Sequence, residues 1–196
     1  MNIFHINKNS VLDPSISGYK AFNLQKIIKK GLSVPDLYVI HTKAYNEHLK
    51  DLKIPDTNIS IDDAKNIQKK IINKELNNDF LKELKNTYKD IRRNNSSPIA
   101  VRSSSPAEDL DHASAAGIYL SFLNISTFDD LVNKLKKCWS AYWSFESIKY
   151  REKNNIPHKK NGMALIIQKM VEAKYSGVLF TTSPTKENKI HLEWIE

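Results

Sequence analysis

The chain has 196 residues, 40% of them hydrophobic and 27% charged, with a formal net charge of +8; that is enough apolar material for one ordinary domain or two small subdomains around a buried core. No apolar run approaches the roughly 20 residues needed to cross a bilayer, and the opening "MNIFHINKNS" lacks the apolar stretch of a signal peptide, so a cytoplasmic protein with no membrane partner is expected. The single cysteine, Cys138, is too few for an internal disulfide or a Cys-rich zinc site; it sits among apolar residues and reads as a small buried side chain.

In chain order, "KAFNLQKIIKK" places Ala21, Leu24, Ile27 and Ile28 at helical spacing, with Gly31 where a C-terminal cap belongs. "LSVPDLYVIHT" reads as a turn at Pro35 leading into a short buried strand, with Thr42 as cap of the helix that follows. Ser60, followed by Asp62 and Asp63, opens a helix through Ile67, Ile71 and Ile72; a further helix over about Asp79–Arg93 carries Phe80, Leu84, Tyr88 and Ile91 on one side. After the breaker at 94–98 comes the strand "IAVRSS", and "GIYLSFLNI" alternates as its partner. Thr127 and Asp130 mark a capped helix expected to run from Phe128 to about Lys153, with Leu131, Leu135, Trp139, Tyr142 and Trp143 as core rather than a base-stacking platform. Three strand candidates close the chain: "MALIIQKMV", "SGVLFTTS" and "KIHLEWIE". The pattern predicts an α+β fold with helices in the first half and antiparallel strands toward the end. Subdomains 1–97 and 98–196 are one possible division.

The basic balance suits an anionic partner. The lysines nevertheless come as scattered doublets on predicted helix faces beside Asp and Glu, with no nucleic-acid motif, so specific nucleic-acid binding is not expected, whereas a nucleotide fits the same charge. The six histidines show no metal-ligand spacing, and Ser103, Ser104 and Ser105 lack a nucleophile-elbow context.

Two cations stand out. Arg102 leaves an apolar strand beside a serine run; a guanidinium there suits phosphate recognition, and it equally suits a salt bridge to Glu108 or Asp109. Lys20 begins a helix, where an ammonium beside free backbone N–H groups attracts phosphate oxygens; on the residues alone a surface lysine is the plainer reading.

"GYKAFNLQKIIKKGLSVPDLYVIHTKAY" resembles the opening of the ATP-binding domain shared by phosphoenolpyruvate synthase, pyruvate phosphate dikinase and rifampicin phosphotransferase. "AVRSSSPAEDLDHASAAG" is similar to that family's arginine signature, and "FLNI", "CWSAYWSFESIKYR" and "IIQKMVEAKYSGVLFTTSP" continue the likeness in the same order, over most of Gly18 to Pro184. The resemblance implies an ATP-grasp-like fold in which Lys20 and Arg102 are the catalytic cations on the ATP phosphates. It further implies that Gly117 lets backbone approach the phosphates, Ser121 offers a hydroxyl, Gln168 borders the adenine, Met170 and Val171 line it, and Glu108 and Asp109 hold the arginine turn. Tyr19, Ala21 and Phe22 depart from the small residues usual around the family's lysine, and "SAAGIYLS" from its usual glycine turn.

In that family the ATP β-phosphoryl group passes to a carrier histidine. The resemblance places the carrier, the acceptor-binding part and most ligands for Mg2+ outside residues 1–196, on further C-terminal domains or a second chain. The alternatives are a non-catalytic interaction or regulatory module derived from this fold, or one half of a split enzyme.

Overall fold

The computed structural model describes residues 1–93, 97–106, 109–110, 113–114, 120–159, 162–181 and 190–195, with the backbone alone at 109–110 and 113–114. Strand β1 (Ile3–His5) leads through α1 (Pro14–Ser17) into α2 (Tyr19–Lys29) and β2 (Leu37–Ile40). Three helices follow, α3 (Thr42–Leu49), α4 (Ile61–Asn73) and α5 (Asn78–Ile91), and then β3 (Ile99–Ser104), the two-residue strands β4 (Asp109–Leu110) and β5 (Ala113–Ser114), and β6 (Ser121–Ile125). Helices α6 (Phe128–Ala141) and α7 (Phe145–Lys153) precede β7 (Ala164–Lys169), β8 (Ser176–Phe180) and β9 (His191–Ile195). The α+β expectation holds, with every strand pair antiparallel.

Most helices start where the sequence offers a cap. Ser60 and Asp63 form a reciprocal capping box on α4, Asn77 accepts the Asp79 N–H of α5 at 2.9 Å, and Thr127 accepts the Asp130 N–H of α6 at 3.2 Å. Thr42 departs from expectation: His41 is the N-cap of α3, and Thr42 is already helical and buried. The expected single helix 128–153 is two. Ser144 caps a new start by accepting the Ser147 N–H at 3.1 Å. The buried Arg151 turns back to donate to the carbonyl of Tyr142 at 2.7 Å, which satisfies an oxygen left over where α6 ends. Apolar spacing continues across this corner, so periodicity alone does not show it.

Five strands form one sheet in the order β1-β2-β7-β3-β6. Alternation along the strands divides the interior in two. Ile40, Ile99, Val101, Leu165 and Ile167 face a large core in which Leu131, Leu135, Trp139, Tyr142 and Trp143 are buried. Trp139 stacks on Phe80, and Trp143 Nε1 donates to the Tyr45 hydroxyl at 2.6 Å. On the other face Leu37, Val39 and Ile166 pack beneath Ala21 of α2, with Ile6 and Leu12. The sheet takes β1 and β2 from before residue 97 and β3, β6 and β7 from after residue 98, so it crosses that division. Strands β8 and β9 pair only with each other among the described strands, and all of β8 is exposed.

Candidate functional site

Position in the sheet decides where the arginine points. Arg102 lies opposite Ile166 on β7, and Ala100 lies opposite Gln168, which in turn opposes Leu37 on β2. Directly opposed residues share a face, so Ala100, Arg102, Ser104 and Gln168 all belong to the face covered by α2. Arg102 is half-buried there, and its Nη1 donates to Gln168 Oε1 at 2.9 Å. Ser121 opposes Arg102 from β6, on the other side of β3 from Ile166.

The lysine arrives from α2. Lys20 is the second residue of that helix, and its Nζ donates to the carbonyl of Ser103, next to Arg102, at 3.0 Å. Gly18 makes the approach possible. Its φ of +76° is a left-handed value that suits glycine, and a Cβ there would fall 1.9 Å from the Ser104 carbonyl oxygen. Tyr19, Ala21 and Phe22 all occupy helical positions, where no glycine is required. Ala21 is buried, and Phe22 packs against the same small core. The departures around the lysine therefore sit where side chains fit.

Beside these cations is a groove of about 570 Å³, a size common for small-molecule sites. Leu24 and Ile27 of α2 and Val34 and Pro35 of the following turn wall one side. Leu123, Met170 and Val171 also line it, and Arg102 and Gln168 are the polar side chains it takes from the α2 face of the sheet. The backbone of this rim is fixed: the Met170 N–H donates to the Pro98 carbonyl at 3.0 Å, and the Asn124 N–H donates to Met170 Sδ at 3.1 Å.

Of the residues singled out from the sequence, Arg102, Gln168, Met170 and Val171 thus meet at one groove, and Lys20 and Ser121 flank Arg102. Gln168, expected beside an adenine, holds the guanidinium here. Gly117 and Glu108 lie outside the described residues, as does the side chain of Asp109. Ser104 was missed. The serine run lacks a nucleophile context, but the two-residue period of a strand places Ser104 on the face of Arg102, and that is the signal the sequence offers. Cys138 is fully buried, and burial pushes its thiol up to about 12 despite the nearby Lys20, which opposes the shift; it is no nucleophile. Among the described residues, no group of three or more His, Cys, Asp or Glu is placed to hold a metal ion.

Residues 15–194 match the family model described as pyruvate phosphate dikinase, AMP/ATP-binding domain. Over 169 residues the chain is 33% identical to an uncharacterized phosphotransferase, YvkC, of Bacillus subtilis, covering 86% of this chain and 20% of that protein. It is 31% identical over 198 residues to a probable phosphoenolpyruvate synthase of Methanothermobacter thermautotrophicus, covering 92% of this chain and 29% of that one. With the phosphoenolpyruvate synthase of Pyrococcus furiosus the identity is 27% over 232 residues, covering 94% and 28% respectively. The chain spans less than a third of the length of these relatives. With a family model matched across nearly all of its residues, the chain belongs to the AMP/ATP-binding domain family of pyruvate phosphate dikinase.

Proposed function

We propose that this chain is the nucleotide-binding portion of a phosphoenolpyruvate synthase-like phosphotransferase, in which Lys20 and Arg102 hold the phosphates of ATP beside an adenine seated in the groove. One observation carries the reading: the lysine turn and the arginine strand, 82 positions apart in sequence, are hydrogen-bonded at adjacent residues of β3, next to the groove. Leu24, Ile27, Val34 and Met170 offer apolar surface to a base. Ser121 and Gly117 are assigned to the phosphates with Lys20 and Arg102, and Gln168 to the boundary between phosphates and base.

Chemically, splitting ATP to AMP requires charge to be stabilised on the departing phosphoryl group, and fixed cations do this without reorganisation. Arg102 contributes a planar fork whose charge is permanent, and Lys20 a compact ammonium. In the Arg102–Gln168 bond the partner is a neutral amide, which orients the guanidinium without itself neutralising the charge. Most Mg2+ ligands are assigned, with the rest of the phosphotransfer machinery, to parts of the complete enzyme outside this chain. The carrier histidine that accepts the β-phosphoryl group likewise belongs to a further domain or a second chain.

Calorimetric titration with ATP of the folded chain and of its Lys20→Ala and Arg102→Ala variants tests this. Charge-assisted hydrogen bonds are worth about 1.5–3 kcal/mol, so each substitution is expected to weaken ATP about 10- to 100-fold. Unchanged affinity in both variants would overturn the phosphate assignment and favour a non-catalytic interaction module.

A further inference from the structure

The Ser104 hydroxyl occupies an unusual position. It is fully buried, accepts the Ala21 N–H at 3.0 Å and donates to the Ser17 carbonyl at 2.8 Å. Ser17 is the last residue of α1, and Ala21 is the third of α2. Each therefore presents a backbone group that its own helix leaves unsatisfied. The residue between the helices, Gly18, is the N-cap of α2 and has no side chain to supply the missing bond. A single hydroxyl from β3 thus caps two helices from outside their own chain segment.

The need for a glycine and the need for an external cap have one origin. The turn must lie so close to β3 that a Cβ on Gly18 would strike the Ser104 carbonyl, and Ser104 replaces the cap that a serine or aspartate at position 18 would have provided. Lys20 lies one residue before the amide that Ser104 holds, and Arg102 lies two residues before Ser104 on the same face of the strand.

We propose that Ser104 is a positioning residue for phosphate binding, its hydroxyl setting the distance between Lys20 and Arg102. This rests on the reading of those two cations as the phosphate ligands. Ser104 touches no nucleotide; it acts through Lys20. Its influence therefore falls on the phosphates, and the groove for the base is untouched.

The test uses the folded chain and its Ser104→Ala, Lys20→Ala and doubly substituted forms, with ATP and adenosine as probes and amide hydrogen exchange as a second readout. In Ser104→Ala the Ala21 amide loses protection while the β3–β7 amides keep theirs. ATP weakens about tenfold, the size of one charge-assisted hydrogen bond lost from Lys20 to a phosphate, and adenosine binds as before. In the Lys20→Ala background Ser104→Ala costs nothing further, since both act through one contact. Equal losses for ATP and adenosine, additive effects, or unchanged ATP affinity after the Ala21 amide has lost protection would each overturn the proposal. If Ser104→Ala does not fold, the nearly isosteric Ser104→Cys carries the same comparison. Failure of the unsubstituted chain to bind ATP would instead overturn the phosphate reading itself, and Ala21 exchange would still decide whether the hydroxyl clamps the turn.

Discussion

Strands β7 and β8 have similar apolar character, "ALIIQK" against "SGVLF", and opposite environments. All but the last residue of β7 is buried, with β2 and β3 on its two edges, whereas Val178 and Leu179 of β8 are 53% and 58% exposed and only β9 pairs with it. The difference teaches that an apolar strand is stabilised by what covers it. Helix α2 covers one face of the five-stranded sheet and the α4–α6 helices the other, and the candidate site sits where α2 leaves the sheet partly open. The β8–β9 pair has no such cover among the described residues, and it leaves Trp194 62% exposed while Trp139 is wholly buried.

The sharpest way to break this comparison is to truncate one tryptophan from each region. Trp139→Ala should cost about 3–5 kcal/mol of stability by cavity formation, and Trp194→Ala within about 0.5 kcal/mol as a surface change, both read by urea denaturation. A comparable loss from Trp194→Ala would show that the β8–β9 pair is packed after all.

A smaller effect separates two glycines. Gly18 and Gly31 both have positive φ, but a Cβ at Gly31 meets nothing within 4 Å, whereas at Gly18 it meets β3. Gly31→Ala should cost about 1 kcal/mol for its backbone conformation, and Gly18→Ala clearly more, with ATP affinity lost as well because the lysine turn must move. Equal costs would mean that the turn does not need its close approach to the strand.

The smallest effect is a pH dependence confined to the packed region. Burial lowers the pKa of His48, which lies against Trp139, and of His158, where Arg151 adds to the lowering. The unfolded chain therefore takes up protons first as pH falls. Stability from these neutral histidines is complete above the unfolded value near 6.5 and is lost progressively as pH drops toward the lower folded values. Denaturation midpoints should fall between pH 7.5 and pH 5.5, and His48→Asn should flatten that fall. A midpoint that rises on acidification would contradict the burial of these rings.

Much of the helical layer was legible, because Ser60 and Thr127 stand at real helix starts and the apolar periods are long. What escaped depended on particular side-chain and strand contacts that periodicity does not show. The corner at Tyr142–Ser144 is fixed by Arg151, and β1 is three residues whose strand character comes from pairing with β2. At the site, Lys20 and Arg102 were legible as signatures. The bond between Arg102 and Gln168 spans 66 positions and the Ser104 clamp 83; the first follows from strand register and the second from the seating of α2 on β3, and local patterns specify neither partner. The pairing of β2 with β7, across the 97/98 boundary, is likewise a matter of register.

The most direct measurement is a crystal structure of the chain with a non-hydrolysable ATP analogue. The account predicts phosphate oxygens within hydrogen-bonding distance of Lys20 Nζ and the Arg102 guanidinium, with the base in the groove between Leu24 and Met170. A nucleotide bound elsewhere, or one whose phosphates point away from both cations, would contradict it.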